Sequence, residues 1–272
     1  METPLSLAPL ATITLLANGL RWNILKTLAQ SDMPLGALSD ALGFPPDVLR
    51  AALVPLREAG LILERQSDTG ADEIFLRTDL QRLRDLYMTA GADMHPAVVD
   101  ATIDLEPPSE QRPRILFLCT RNSARSQIAE ALLRTLSKGT IDVMSAGAQP
   151  GDVHPMTKQV LAPYTDVEQL RAKPVSTFTG QAFDYVITVC DKAREVCPTF
   201  PGATQMLHWS TPDPVAVEGT IATKQRAFNA TITELTNRIR YLLIFIERDQ
   251  SAARAGAGAG IYIHDVVSSR GF

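Results

Sequence analysis

The sequence predicts an α/β protein of two domains: an N-terminal helical domain closed by a hairpin, and a C-terminal domain built on a parallel sheet. Three observations carry this. Residues 114 to 248 alternate short apolar strands with amphipathic helices, the pattern of a parallel sheet covered by helices on both faces. Residues 1 to 88 place apolar side chains at helical spacing and then show two short β-rich runs. Between them, residues 89 to 113 hold five acids against one base and end in a Pro-rich stretch, which reads as a linker with a short helix over Ala97 to Leu105.

Composition excludes several classes. With 272 residues, 45% hydrophobic, 21% charged and a net charge of −4, the chain can bury two cores and is neither disordered nor a disulfide-stapled miniprotein. Its apolar runs, such as Leu242 to Ile246, are far shorter than the roughly 18 residues a membrane span needs. The first residues lack a basic segment ahead of the apolar one, so no secretory signal is read and a cytoplasmic protein without membrane contact is expected. Three cysteines, Cys119, Cys190 and Cys197, leave packing, metal binding or redox chemistry open.

In the first domain, helices are expected at Leu20 to Leu28, Leu35 to Leu42 and Val48 to Leu56, with Pro46 in the first turn of the third. Pro55 lies inside that helix and should kink it. Runs from Leu61 to Arg65 and from Glu73 to Arg77 flank a polar turn carrying Gly70 and predict a hairpin, followed by a helix over Leu80 to Met88. This is the order of a winged helix-turn-helix. Residues 249 to 272 carry the low-complexity stretch SAARAGAGAG from Ser251 and are expected to form a flexible tail.

In the second domain, strands are expected at Arg114 to Cys119, Ile141 to Ser145, Tyr185 to Cys190 and Gln205 to Trp209. Helices are expected at Ser126 to Leu136, His154 to Leu161 and Gly219 to Glu247. Ligands of such a sheet bind at the carboxyl ends of its strands. There stands the most informative string, ILFLCTRNSARSQIAEALL. A buried strand ends at Cys119, and a loop of Thr120, Arg121, Asn122, Ser123 and Ala124 leads to Arg125 and to a helix opened by Ser126. Loop amides and the helix N-terminus can cradle a tetrahedral oxyanion, and Arg125 can add paired hydrogen bonds. The same positive field favours a Cys119 thiolate, with Ser126 placed to donate to its sulfur. A buried structural cysteine beside a surface arginine is the bland alternative.

Here the sequence resembles a known group. From 114 to about 248 it looks like the low-molecular-weight tyrosine phosphatase fold, and within it like thioredoxin-coupled arsenate reductases, on the shared Cys-x5-Arg-Ser loop. Cys190 and Cys197, in VITVCDKAREVCPTFPG, are similar to the redox pair of the reductases, whereas a phosphatase needs one thiol. A metal pair is the competing reading, but no fourth ligand with zinc-like spacing accompanies them and His208, so no metal is assigned. Asp213, in HWSTPDPV, matches the family's general acid; where phosphatases usually follow with an aromatic residue, Val215 stands. His208 and Trp209 also match the reductases and are given a packing role. The resemblance implies that Cys119 attacks arsenate while Asp213 supplies a proton. Cys190 then forms a disulfide with Cys119 and releases arsenite, and Cys197 moves the disulfide to Cys190–Cys197 for thioredoxin. Asn122, Glu130 and Ser145 match part of a potassium site found in some members; no tightly bound cofactor is implied. A phosphatase, or a transcription factor sensing oxyanion or redox state without turnover, are the alternatives.

Residues 14 to 88 resemble ArsR-type winged-helix repressors, through ANGLRWNILKTLAQ, LGALSDALG and LREAGLILER. The resemblance implies operator DNA as a partner and a homodimer formed through this domain. Two departures stand against direct arsenite sensing and tight DNA binding. The segment has no cysteine, and residues 1 to 90 carry eight bases against eleven acids. Arg50 is the candidate for base contact, and Arg57 and Arg65 for phosphate contact.

Overall fold

The computed structural model describes residues 8–68, 73–94, 112–196, 200 and 205–254. The N-terminal unit runs α1 (Pro9–Leu16), α2 (Gly19–Gln30), β1 (Met33–Pro34), α3 (Leu35–Leu42), α4 (Pro46–Glu58), β2 (Ile62–Gln66), β3 (Ile74–Thr78) and α5 (Leu80–Met94). Local chemistry sets several of these ends. The Asn18 side chain accepts from the Arg21 amide and caps α2, and Gly43 closes α3 in the left-handed region at φ 70°. Pro46 occupies the first turn of α4, where its missing N–H costs nothing. The strands form an antiparallel sheet in the order β1-β3-β2, with Arg65 opposite Phe75 and Met33 opposite Leu76. Ile24, Leu28, Leu38, Leu49, Leu53, Leu56 and Leu61 make the core. Each such side chain contributes about 1.5–3 kcal/mol by leaving water.

Two expectations here need correction. The helix expected to end at Met88 continues to Met94, so the first residues assigned to the linker are helical. Its run LYMTAGADM has no helix-stopping proline, and its Gly91 is buried, so packing outweighs glycine's low propensity. Helix α1 was not anticipated, because in PLATITLL the two threonines are scattered among apolar residues and show no amphipathic period. The rest of the expected linker, including the helix over Ala97 to Leu105, lies outside the described residues apart from Arg112 and Pro113.

The C-terminal unit runs β4 (Arg114–Cys119), α6 (Arg125–Leu136), β5 (Asp142–Gly147), α7 (Pro155–Leu161), β6 (Tyr185–Thr188), α8 (Asp191–Val196), β7 (Gln205–His208) and α9 (Ile221–Arg254). The sheet is parallel throughout, in the order β5-β4-β6-β7. The chain therefore leaves β4 first to one side and later to the other, and the crevice at the end of β4 is the natural ligand position. Side chains alternate across β4: Ile115 and Phe117 face a core shared with α6, α7 and α9. Leu116 and Leu118 face a smaller cluster of Phe178, Phe183 and Phe200, which a short 3-10 turn, Val175–Phe178, closes. Helix α9 runs to Arg254, past the point where the flexible tail was expected to begin; residues 255 to 272 lie outside the described residues. Among the described residues no helix is long and apolar enough to cross a membrane.

The two units are packed together, not merely tethered. The Asp32 amide donates to the His208 carbonyl at 2.8 Å, extending the end of β7. The Asp32 carboxylate is 3% exposed and takes both Nη atoms of Arg238, at 3.1 and 2.8 Å, and the Ser210 amide at 2.8 Å. Burial alone would lower the Arg238 pKa, but Asp32 and Glu234 outweigh it and raise it. Arg77 pairs with Glu234 across the same seam.

Candidate active site

Cys119 ends β4 and is 4% exposed. Its sulfur lies 2.8 Å from Ser126 Oγ and accepts from the Asn122 amide at 3.1 Å. Asn122 reaches that position with φ 50°, a left-handed conformation that Asn tolerates better than most residues. Four hydrogen bonds hold it there. Its Nδ2 donates to Ser126 and Ser145 at 2.9 and 2.8 Å, and its Oδ1 accepts from Gln127 Nε2 at 3.0 Å and the Lys173 amide at 2.8 Å.

The loop's carbonyls are engaged on its outer side. Thr120 accepts from the Gln149 amide, Arg121 from Gly151, and Ser123 from His154 and from Thr157 Oγ1. Ala124 stands at the N-cap of α6 and offers no side-chain acceptor, so the first amides of this helix stay available to an anion. Gly147 lets the loop lie close: a Cβ there would sit 2.8 Å from Arg121 C and Asn122 N.

Arg125 is 7% exposed and reaches over the loop. Its Nη2 donates to Asp213 Oδ2 at 2.7 Å, and its Nη1 to the Thr211 carbonyl and to Asp68 Oδ2, both at 3.0 Å. Burial would lower its pKa, but Cys190, Asp213, Cys119 and Asp68 together raise it. Asp213 is further fixed by the Val215 amide at 3.0 Å. Cys190 lies just past β6, 1% exposed, with its sulfur 3.4 Å from Thr120 Oγ1. Burial pushes its thiol up against the opposing pull of Arg125, and the charge of Cys119 adds to the rise.

Cys119, Arg125, Ser126, Cys190 and Asp213 thus gather around the loop of Thr120 to Ala124. Cys197 lies outside the described residues. His208 does more than pack: its Nδ1 is 2.8 Å from Thr188 Oγ1 and its Nε2 3.1 Å from Asp191 Oδ1. Asp191 also takes Ser210 Oγ, the Asp68 amide and Arg65. Its burial would raise its pKa, but His208, these hydrogen bonds and Arg65 hold the carboxyl well below the usual carboxylate range. Sequence reasoning missed Asp68, Gly147, Lys173 and Asp191. Only Asp191, directly after Cys190, had a signal to notice.

The residues that match a potassium site do not fit a resident cation. Glu130 Oε2 accepts from Ser145 Oγ at 2.5 Å and from Lys173 Nζ at 3.1 Å, and Oε1 takes Arg134 at 2.7 Å. The carboxylate is already doubly paired, and Asn122 is bonded to Ser145. Among the described residues no group of three or more His, Cys, Asp or Glu could hold a metal ion.

The candidate DNA-contacting arginines are dispersed. Arg50 lies exposed on α4 and pairs with Asp47 at 2.7 Å, and Arg57 pairs with Glu64. Arg65 points away from α4: it bonds Ser210, Asp68 and Asp191 at the seam between the units and is 20% exposed. As a phosphate contact it would first have to leave two carboxylates, so the geometry speaks against that expectation.

Residues 114–252 match the profile of the low molecular weight phosphotyrosine protein phosphatases. The chain belongs to that family. An arsenate reductase of Halalkalibacterium halodurans is 33% identical over 127 residues, which cover 46% of this chain and 91% of the relative. Arsenate reductase 1 of Bacillus cereus is 31% identical over 118 residues, 43% of this chain and 88% of the relative. Among solved structures, a thioredoxin-dependent arsenate reductase of Corynebacterium glutamicum is 24% identical with a TM-score of 0.42, covering 84% of this chain and 98% of that one.

Proposed function

We propose that this protein reduces arsenate to arsenite through a three-thiol relay and that its N-terminal unit is a winged-helix module of regulatory type. The observation that carries the first part is a second buried thiol, Cys190, against the loop that begins at Cys119. Hydrolysis of a phosphate ester has no use for it.

The chemistry follows from the geometry. The Cys119 thiolate, stabilised by Ser126, the Asn122 amide and the start of α6, attacks arsenic(V) in the loop. An arsenate oxygen leaves as water with a proton from Asp213, forming a sulfur–arsenic(V) bond. The Cys190 thiolate attacks Cys119 sulfur; the sulfur–arsenic bond breaks with its electron pair going to arsenic, which departs as arsenite. Cys197 attacks Cys190 and releases Cys119 as thiolate, and a dithiol such as thioredoxin reduces the Cys190–Cys197 disulfide.

A phosphatase remains the second reading, favoured by the family itself. Against it stand Cys190 and the exposed Val215 beside the acid.

For the N-terminal unit, the order helix, helix, short strand, two helices, hairpin and helix supports the winged-helix reading. DNA binding and dimerisation through this unit belong to the same proposal. Titration of promoter DNA with reduced and oxidised protein, and with Arg50→Ala, tests it. Redox-dependent binding lost in the variant supports a regulator, and no binding at low salt removes DNA from the account.

A further inference from the structure

Asp68, just after β2, belongs to the N-terminal unit, yet it reaches the catalytic arginine. Asp68 stands two residues after β2. Its amide donates to Asp191 at 2.8 Å, its Oδ1 takes Arg65 Nη1 at 2.7 Å and its Oδ2 takes Arg125 Nη1 at 3.0 Å. Arg65 also pairs with Asp191, the residue after Cys190. The carboxylate is therefore held in place by the bonds of its own amide and of Arg65.

A guanidinium has five N–H groups. In Arg125 both on Nη1 are used, by Asp68 and the Thr211 carbonyl, and one on Nη2 goes to Asp213. Among the described residues Nε and the second Nη2 hydrogen take no partner, and they form the edge that can grip two oxygens of a tetrahedral anion. Asp68 leaves this edge in place but puts a negative charge on the far edge of the same buried cation. An incoming oxyanion meets that charge.

The geometry points to Asp68 as an affinity-determining residue of the oxyanion site, contributed by the N-terminal unit and competing with the bound anion for the charge of Arg125. This rests on the reading of the loop as an oxyanion site. Two consequences follow. Removing the charge tightens oxyanion binding; and by thermodynamic reciprocity, a bound oxyanion weakens the docking of the hairpin by the same factor. Site occupancy thus reaches the N-terminal unit through direct contact, without a rearrangement of subunits.

The test uses the full chain and inorganic phosphate as probe, by calorimetry at low salt. Asp68→Asn keeps the shape and an acceptor for Arg125 but removes the charge. An opposite charge beside an ionised group is worth roughly one to three pK units, which is what Asp68 takes from Arg125, and the partial exposure of Asp68 puts the effect at the low end. The phosphate dissociation constant is expected to fall about tenfold in this variant and in Asp68→Ala, with the gain shrinking as salt rises. Unchanged or weaker binding in both variants overturns the proposal, since a purely structural role gives no gain. No phosphate binding in any form overturns the oxyanion site as well. In the natural protein, saturating phosphate is expected to speed hydrogen exchange at the Asp68 amide; unchanged exchange refutes the coupling.

Discussion

Replacing Gly147 with alanine adds one methyl group at the end of β5, where it meets the back of the oxyanion loop. The new carbon would lie 2.8 Å from Arg121 C and Asn122 N and 2.9 Å from the Thr120 carbonyl oxygen, about 0.6 Å inside the 3.4 Å at which contact becomes ordinary. All three atoms are backbone, so none can rotate away. Gly147 has no positive φ, so the effect is steric alone. Its amide is bonded to the Lys173 carbonyl and its Cα pairs with Cys119 in the sheet, so the strand cannot retreat without loss. The loop must then shift by about half an ångström. Overpacking of this kind costs about 1–3 kcal/mol. Since a misplacement of about 1 Å can cost on the order of a hundredfold in rate, turnover is expected to fall about ten- to a hundredfold. Denaturant titration and steady-state turnover of Gly147→Ala measure the two effects. Natural stability together with natural turnover would refute the close-approach argument.

Other consequences concern the thiols and their surroundings. Cys119→Ser should abolish turnover while leaving the fold intact, as circular dichroism will report; retained turnover removes Cys119 as the nucleophile. Cys197→Ser should stop after one turnover with a Cys119–Cys190 disulfide visible by peptide mapping, and sustained turnover with thioredoxin would exclude the third thiol from the relay. Because burial holds the Cys190 thiol above its ordinary range, the single-turnover rate of disulfide formation should still rise as pH passes about 8.5. A plateau below pH 8 contradicts this. Exchanging sodium for potassium should leave turnover within about twofold, because the Lys173 ammonium and Arg134 already neutralise Glu130; strong potassium activation would show that the pocket admits a cation.

Much of the catalytic unit was legible because its signals are local. A buried strand ending in Cys119, a short loop and a helix opening at Arg125 are contiguous, and the continuous apolar run of RILFLC matches a strand buried on both faces. Asp213 and Cys190 could be added through a family resemblance, which residue spacing alone would not have supplied. What escaped notice depends on contacts between distant segments. Gly147 looks like any strand-end glycine until the loop lies against it, and Lys173 is an ordinary surface lysine until it meets Glu130, 43 positions earlier. Asp68 sits in a polar turn, where an aspartate is common for reasons unrelated to catalysis. Its contact with Arg125 spans 57 positions and two units. The acidic linker suggested separated domains, but the seam of Asp32, Arg238, Arg77 and Glu234 holds them together, and no local pattern announces such a seam.

The central claim is that Cys119 and Cys190 act together on arsenate. The most direct measurement is steady-state arsenate consumption by the full chain with thioredoxin, thioredoxin reductase and NADPH, alongside hydrolysis of an aryl phosphate by the same preparation. The account predicts arsenate-dependent NADPH oxidation that vanishes in Cys190→Ser. Efficient ester hydrolysis without arsenate reduction, indifferent to Cys190, would contradict it.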